Sequence, residues 1–195
     1  PSHTLGDKVY ILGGEVGTAV VNELSVFRIA DTGRLNLSNL GTRFQTPRGS
    51  HTSHLSDSLL VVIGGKSGAS PVGLLEVFQV SSDGRLAANS DNKTLLEPRY
   101  DHTSHSAGSY YFVLGGQTQS SVVTDSVESI QLTTDNLLAN PVFTEPLKTA
   151  RAEHSSHYDG DFIYVFGGRG EDGNALGSVE VFRVLPGGHL TSQNQ

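Results

Sequence analysis

Four short apolar runs punctuate the chain, Val9–Leu12, Leu59–Ile63, Tyr110–Leu114 and Phe162–Phe166, and each ends in a diglycine. A continuous apolar run bounded by glycine reads as a strand covered on both faces. A second pattern follows each diglycine after a polar stretch: the alternating segments Leu24–Ile29, Leu75–Val80, Val127–Leu132 and Val179–Val184. Alternation rich in β-branched and aromatic side chains predicts a half-buried strand. Turn signals come next, Asp31-Thr-Gly33, Asp83-Gly84, Asp135-Asn136 and Pro186-Gly-Gly188, and these residue types tolerate the positive φ of a tight turn. The segments that open near Leu35, Leu86, Leu138 and Leu190 are weakly patterned, as outer edge strands often are. A polar, histidine-containing segment precedes each apolar run and is the remaining strand of the unit.

The units are copies of one another. Diglycines begin at residues 13, 64, 115 and 167, so the spacing is 51, 51 and 52, and His3, His54, His105 and His157 each precede a diglycine by 10 residues. A fixed period near 50 with four strands per unit predicts an all-β fold, a β-propeller array of four blades of four antiparallel strands. The blades span about residues 1–46, 47–97, 98–149 and 150–195, with Thr46-Pro-Arg48, Glu97-Pro-Arg99 and Thr149-Ala-Arg151 at the connections. No helical periodicity competes. The one extra residue behind the spacing of 52 falls between Gly116 and Ser126, in a surface loop where an insertion costs little.

The endings YILGG, VVIGG, YFVLGG and YVFGG, the upstream arginine, the period and the aromatic of the alternating strand resemble the kelch-repeat family along the whole chain. The phrase VFQVSSDGRL resembles kelch-type repeats of bacterial proteins. One departure stands out: the tryptophan usual on the outer strand of that family is missing, with Leu35, Leu86, Leu138 and Leu190 in its region. The resemblance implies six or seven blades in a closed ring. Four units therefore leave three readings: a piece of a longer propeller, a closed four-bladed ring, or two chains pairing into eight blades. An incomplete or self-associating array is the expectation, because an open end leaves an apolar face in water. The chain opens on Pro1 within a repeat and contains no methionine, which fits a processed or excised segment.

Composition narrows the functional classes. The net charge of -7 argues against a phosphate-backbone binder, and nucleic acid is not an expected partner. No stretch approaches the roughly 20 apolar residues of a membrane helix. The absence of cysteine excludes disulfides, thiolate chemistry and, within the kelch resemblance, the copper radical oxidases; it leaves the compartment unassigned, an extracellular or periplasmic one being slightly favoured. No Gly-x-Ser-x-Gly elbow, P-loop, His-Glu-x-x-His or dinucleotide fingerprint occurs, so no catalytic residue is assigned and no cofactor is expected.

Three sets of residues are candidates for chemistry. Arg48, Arg99 and Arg151 enter the inner strands, which the kelch resemblance places at the mouth of a central channel, where a guanidinium fork can hold a carboxylate. Alternatively each pairs with a neighbouring acid such as Asp101 or Glu153. Tyr100 beside Arg99, together with Lys66 and Arg169 just past their diglycines, completes the expected binding set. The loops after the diglycines, Glu15–Asn22, Lys66–Gly73, Gln117–Thr124 and Arg169–Gly177, differ in sequence on a repeated scaffold, which is where recognition usually sits. The Arg169-Gly-Glu-Asp-Gly-Asn174 stretch lacks the spacing of a calcium loop and reads as a solvated turn. Finally, His51, His102 and His154 recur at one position, so a ring of imidazoles from different blades is the one metal-binding arrangement available, against a plainer role in hydrogen bonding between blades. Residues three apart on a strand point to opposite faces, so His51 and His54 do not chelate one ion. The function expected is a non-catalytic scaffold recognising a protein, peptide or glycan. The alternatives are an enzyme or metal protein using the channel, a mutarotase-like one included, and a structural assembly module.

Overall fold

The computed structural model describes residues 1–39, 42–56, 58–89, 92–119 and 122–193, and every named element within them is a strand. The first unit holds β1 (Ser2–Leu5), β2 (Lys8–Val16), β3 (Ala19–Ile29) and β4 (Leu35–Asn39). The second holds β5 (Thr52–Leu55), β6 (Leu59–Ile63), the small ribbon β7 (Lys66–Ser67) and β8 (Ser70–Pro71), then β9 (Leu74–Val80), β10 (Leu86–Ala88) and β11 (Lys93–Thr94). The third holds β12 (Thr103–Ala107), β13 (Tyr110–Leu114), β14 (Val127–Gln131) and β15 (Val142–Phe143). The fourth holds β16 (Ser155–Tyr158), β17 (Phe162–Phe166), β18 (Val179–Leu185) and β19 (His189–Ser192). The four main sheets run β1-β2-β3-β4, β5-β6-β9-β10 with β11 also on β9, β12-β13-β14-β15 and β16-β17-β18-β19, all antiparallel. The inner strands β1, β5, β12 and β16 are neighbours in that order. This is a propeller-type array of four blades.

Some segments depart from the expected pattern. In the first blade, β2 and β3 continue past the diglycine, pairing Glu15 with Val20 around a bulge between Leu12 and Gly14, so the Glu15–Asn22 loop is a strand extension. The β-formers Val16, Val20 and Val21 flank Gly17 at φ 63° and carry the ladder onward. The outer strand of the third blade is reduced to a bridge from Leu132 to Leu138 followed by β15. Ser120 and Ser121, in the third loop after a diglycine, and Asn194 and Gln195, at the end of the fourth outer strand, lie outside the described residues.

Packing follows the repeat. Alternate residues of each sheet face the preceding or the following blade, and each junction is one apolar cluster. Tyr10, Leu12, Leu24 and Val26 of the first blade meet Leu60, Val62, Phe78 and Leu86 of the second. Leu59, Val61, Ile63, Leu75 and Val77 of the second meet Tyr111, Val113, Ile130 and Leu138 of the third. Phe112, Leu114, Val127 and Leu147 of the third meet Ile163, Val165, Phe182 and Leu190 of the fourth. The outer-strand leucines at the tryptophan position thus fill junctions: Leu86, Leu138 and Leu190 are 6%, 2% and 4% exposed. Burial of such side chains contributes about 1.5–3 kcal/mol each and makes the junctions the main source of stability.

The diglycines serve the junctions directly. Gly64 and Gly65 sit at φ 60° and 105°, and a Cβ on Gly64 would lie 2.8 Å from both the Arg99 carbonyl and the His102 ring. The second glycine N–H donates to the next blade's arginine carbonyl: Gly14 to Arg48 at 3.0 Å, and Gly65 to Arg99 and Gly116 to Arg151 at 2.8 Å. Only a residue without a side chain fits both the backbone and the space.

Candidate functional site

The three arginines expected at the ligand face are fully buried, each 0% exposed. Arg48 pairs with Glu76, Arg99 with Glu128 at 2.8 Å and Arg151 with Glu180 at 2.6 Å, all from the third strand of the same blade, and Arg99 also reaches Glu97 of its own entry loop at 3.1 Å; Asp101 and Glu153 are not their partners. The remaining guanidinium donors reach backbone carbonyls: for Arg99, Glu97 at 3.1 Å, Gly115 at 3.0 Å and Ser126 at 2.9 Å. Glu128 in turn accepts the Leu96 N–H at 2.8 Å and the Glu97 N–H at 3.0 Å. Burial lowers the pKa of Arg48 and Arg99 while Glu76 and Glu128 pull it back up. These forks fasten the entry loop, the diglycine end and the third strand of one blade together, and they present no surface to a ligand. The sequence signal was the glutamate of LEVF, VESI and VEVF, which alternation places on a covered face beside apolar neighbours.

The histidines also work between blades. The Nε2 atoms of His3, His54 and His105 lie 2.7, 2.8 and 2.7 Å from the hydroxyls of Ser53, Ser104 and Ser156 on the next inner strand. His102 and His154 reach back to Thr52 and Thr103 at 3.0 and 2.9 Å. Burial first, then the neighbouring arginines, lowers His102 to about 3 and His154 to about 4; burial likewise lowers His51 to about 3. The bonded rings are therefore neutral stitches across junctions at neutral pH, whereas both ring nitrogens of His51 are buried without a hydrogen-bond partner. Among the described residues no group of three His, Cys, Asp or Glu side chains could hold a metal ion.

A different set gathers at the rim where the chain enters the inner strands. Tyr100 and Gln117 exchange backbone hydrogen bonds at 3.0 and 2.8 Å, as do Gly49 with Lys66 and Ala152 with Arg169. The residues after Gly49, Tyr100 and Ala152 adopt left-handed backbone: Ser50, Asp101 and Glu153, with φ 49°, 52° and 56°. Asp101 N–H donates to Ser50 and Glu153 N–H to Asp101, at 3.3 and 3.0 Å, which links three blades around the axis. Lys66, Tyr100 and Arg169 from the expected binding set meet here, joined by Glu15, Asp101, Gln117 and Glu153. The Lys66 ammonium lies 5.2 Å from the Tyr100 ring centroid and 3.9 Å from Glu15. The Tyr100 hydroxyl donates to Gln117 at 3.2 Å, and Gln117 Nε2 donates to Asp101 at 3.4 Å and Glu153 at 3.5 Å. Arg169 pairs with Glu153 at 2.9 Å, which raises the pKa of its guanidinium. Sequence pattern alone missed Glu15 and Gln117. Their signal is positional: they occupy the place after the diglycine that Lys66 and Arg169 occupy in their own blades.

The model of the KLHDC2/KLHL20/DRC7 Kelch-repeats domain matches residues 2–186. The chain belongs to the kelch-repeat family. No curated protein matches the chain. Among solved structures, that of YjhT superposes with a TM-score of 0.70 at 15% identity, over 98% of this chain and 62% of YjhT. At that identity the likeness concerns the fold alone, and the chain spans less than two thirds of the YjhT length.

Proposed function

We propose that this kelch array is a non-catalytic scaffold that docks a protein or peptide segment across the rim formed by Lys66, Tyr100 and Arg169 with Asp101 and Glu153. The observation that carries this reading is the division of labour among charges. The repeated arginines are consumed inside the blades, whereas Lys66, Arg169 and Glu153 keep charged groups at the surface on backbone linked from blade to blade. Cations and carboxylates held side by side suit an extended segment carrying both signs, with register set by electrostatic complementarity. A glycan would use an aromatic face as a stacking platform. Here the Lys66 ammonium already lies over the Tyr100 ring, which favours a peptide. Catalysis in the channel has less support, because the serine and threonine hydroxyls between blades already engage the Nε2 atoms of His54, His102, His105 and His154.

Charge reversal tests the reading. Lys66→Glu and Arg169→Glu are each expected to weaken a purified protein partner at least tenfold, while the unfolding midpoint stays near that of the parent because surface pairs are worth only about 0–1 kcal/mol. Unchanged affinity in both variants, with loss instead from Arg28→Glu near the end of β3 or Arg85→Glu in the turn before β10, would move the site elsewhere on the array.

A further inference from the structure

A groove of about 320 Å³ lies between the second and third blades, lined by Pro71 of β8, by Leu96, Glu97 and Pro98 of the connection, and by Thr118 of the next loop. It is continuous with the rim through the backbone, since Pro71 pairs with Lys66 across the β7–β8 ribbon and Thr118 follows Gln117. Leu96 is 49% exposed beside two prolines, so the walls are largely apolar. The one charged side chain of the lining is Glu97, which is 39% exposed.

Glu97 is held firmly, yet the clamp around Arg99 does not require it. Its Oε2 accepts three hydrogen bonds, from Arg99 Nη2 at 3.1 Å, the Ser126 hydroxyl at 2.5 Å and the Thr124 hydroxyl at 3.1 Å, while no donor among the described residues reaches Oε1. The equivalent positions beside the other clamps are Thr46 and Thr149. There Arg48 and Arg151 are satisfied by Glu76, by Glu180 with the Ser178 hydroxyl, and by backbone carbonyls. Leu96 likewise stands where the other connections carry Gln45 and Lys148. One junction thus adds a pinned carboxylate with an open oxygen, and an exposed leucine, to a clamp that is complete without them.

We propose that this groove receives a lysine side chain of the segment docked on the rim, its methylenes against Pro71, Leu96 and Pro98 and its ammonium on Glu97 Oε1. The inference rests on the docking role given to the rim and names a side chain that role selects. Lysine fits on two counts. A long apolar stem that ends in a point charge matches apolar walls around a single carboxylate. Arginine holds a carboxylate best as a fork on both oxygens, and Oε2 already has its three donors. The net charge of -7 favours a cationic partner in the same sense.

Amide NMR of the labelled chain, titrated with Nα-acetyl-lysine N-methylamide, reads the groove without a protein partner. Saturable shifts are expected at the amides of Ser70, Leu96, Glu97 and Thr118, with the norleucine and arginine analogues binding at least about fivefold more weakly. Glu97→Thr, which copies the other two connections, is expected to weaken the lysine probe to a similar degree and to leave the urea midpoint unchanged. Glu97→Gln keeps the shape, removes only the charge and is expected to weaken the probe equally. Absence of saturable shifts at these amides, equal binding of either analogue, or lysine binding that survives either substitution would each overturn the proposal. Failure of the rim is read differently: it shows as a protein partner indifferent to Lys66→Glu and Arg169→Glu, whereas the groove fails on the small probe alone.

Discussion

Arg99 has the carboxylates of Glu128 and Glu97, a hydroxyl and three backbone carbonyls around its five N–H groups, and neither it nor Glu128 is exposed to water. A buried pair of this kind is weak evidence of net stabilisation, because desolvation offsets much of the attraction. Its removal is another matter. Truncation leaves Glu128 charged and desolvated and frees three carbonyls, so Arg99→Ala is expected to cost about 3–5 kcal/mol in urea unfolding. Lysine does not rescue it, since an ammonium cannot reproduce the planar fork. The first blade has no such clamp, for Ser25 occupies the glutamate position.

Individual strands and their turns follow the chain's own chemistry closely. Gly116 sits at φ 104°, and a Cβ there would lie 2.7 Å from the Tyr100 carbonyl and 2.8 Å from the His102 Cβ. Gly108 at φ 59° has open space around it. Gly108→Ala is therefore expected to cost about 1 kcal/mol from backbone conformation alone, and Gly116→Ala several times that because backbone must move as well. Thermal or urea unfolding of the pair separates steric contact from φ. Period, diglycine and alternation made the second and third strands legible in sequence: β6, β13 and β17 coincide with the apolar runs. The outer strands were less legible, because β10, β11 and β15 are only two or three residues long and held by few ladder bonds. Of the candidate site, the shared rim position of Lys66, Tyr100 and Arg169 was legible, but an arginine at a loop entry looks the same in sequence whether it faces solvent or folds back onto Glu76, Glu128 or Glu180. That choice is made by the pleat of a strand nearly thirty residues away.

At the scale of the whole array, stability depends on junctions that must keep their imidazoles neutral. His51 and His102 titrate at about 3 and His154 at about 4, against 6.5 in an open chain. Between those values the unfolded chain binds protons that the folded one does not, so stability rises with pH through this window and falls as pH drops from about 6.5 towards 4. The slope is about 1.4 kcal/mol per pH unit for each histidine. Urea midpoints measured from pH 7.5 to 4 should fall below pH 6.5, and a His102→Gln variant should show a shallower decline. A flat profile would mean that the folded rings take up a proton as readily as those of the open chain.

The stitching from inner strand to inner strand joins residues 50 or 51 positions apart. Excision of any span equal to the repeat, such as residues 99–150, would set His54 opposite Ser156 and Leu75 opposite Phe182, new neighbours of the same kind as the old. A gene encoding such a chain can gain or lose modules by recombination between its own copies without inventing a seam, whereas a gain or loss of half a module leaves every later contact out of step.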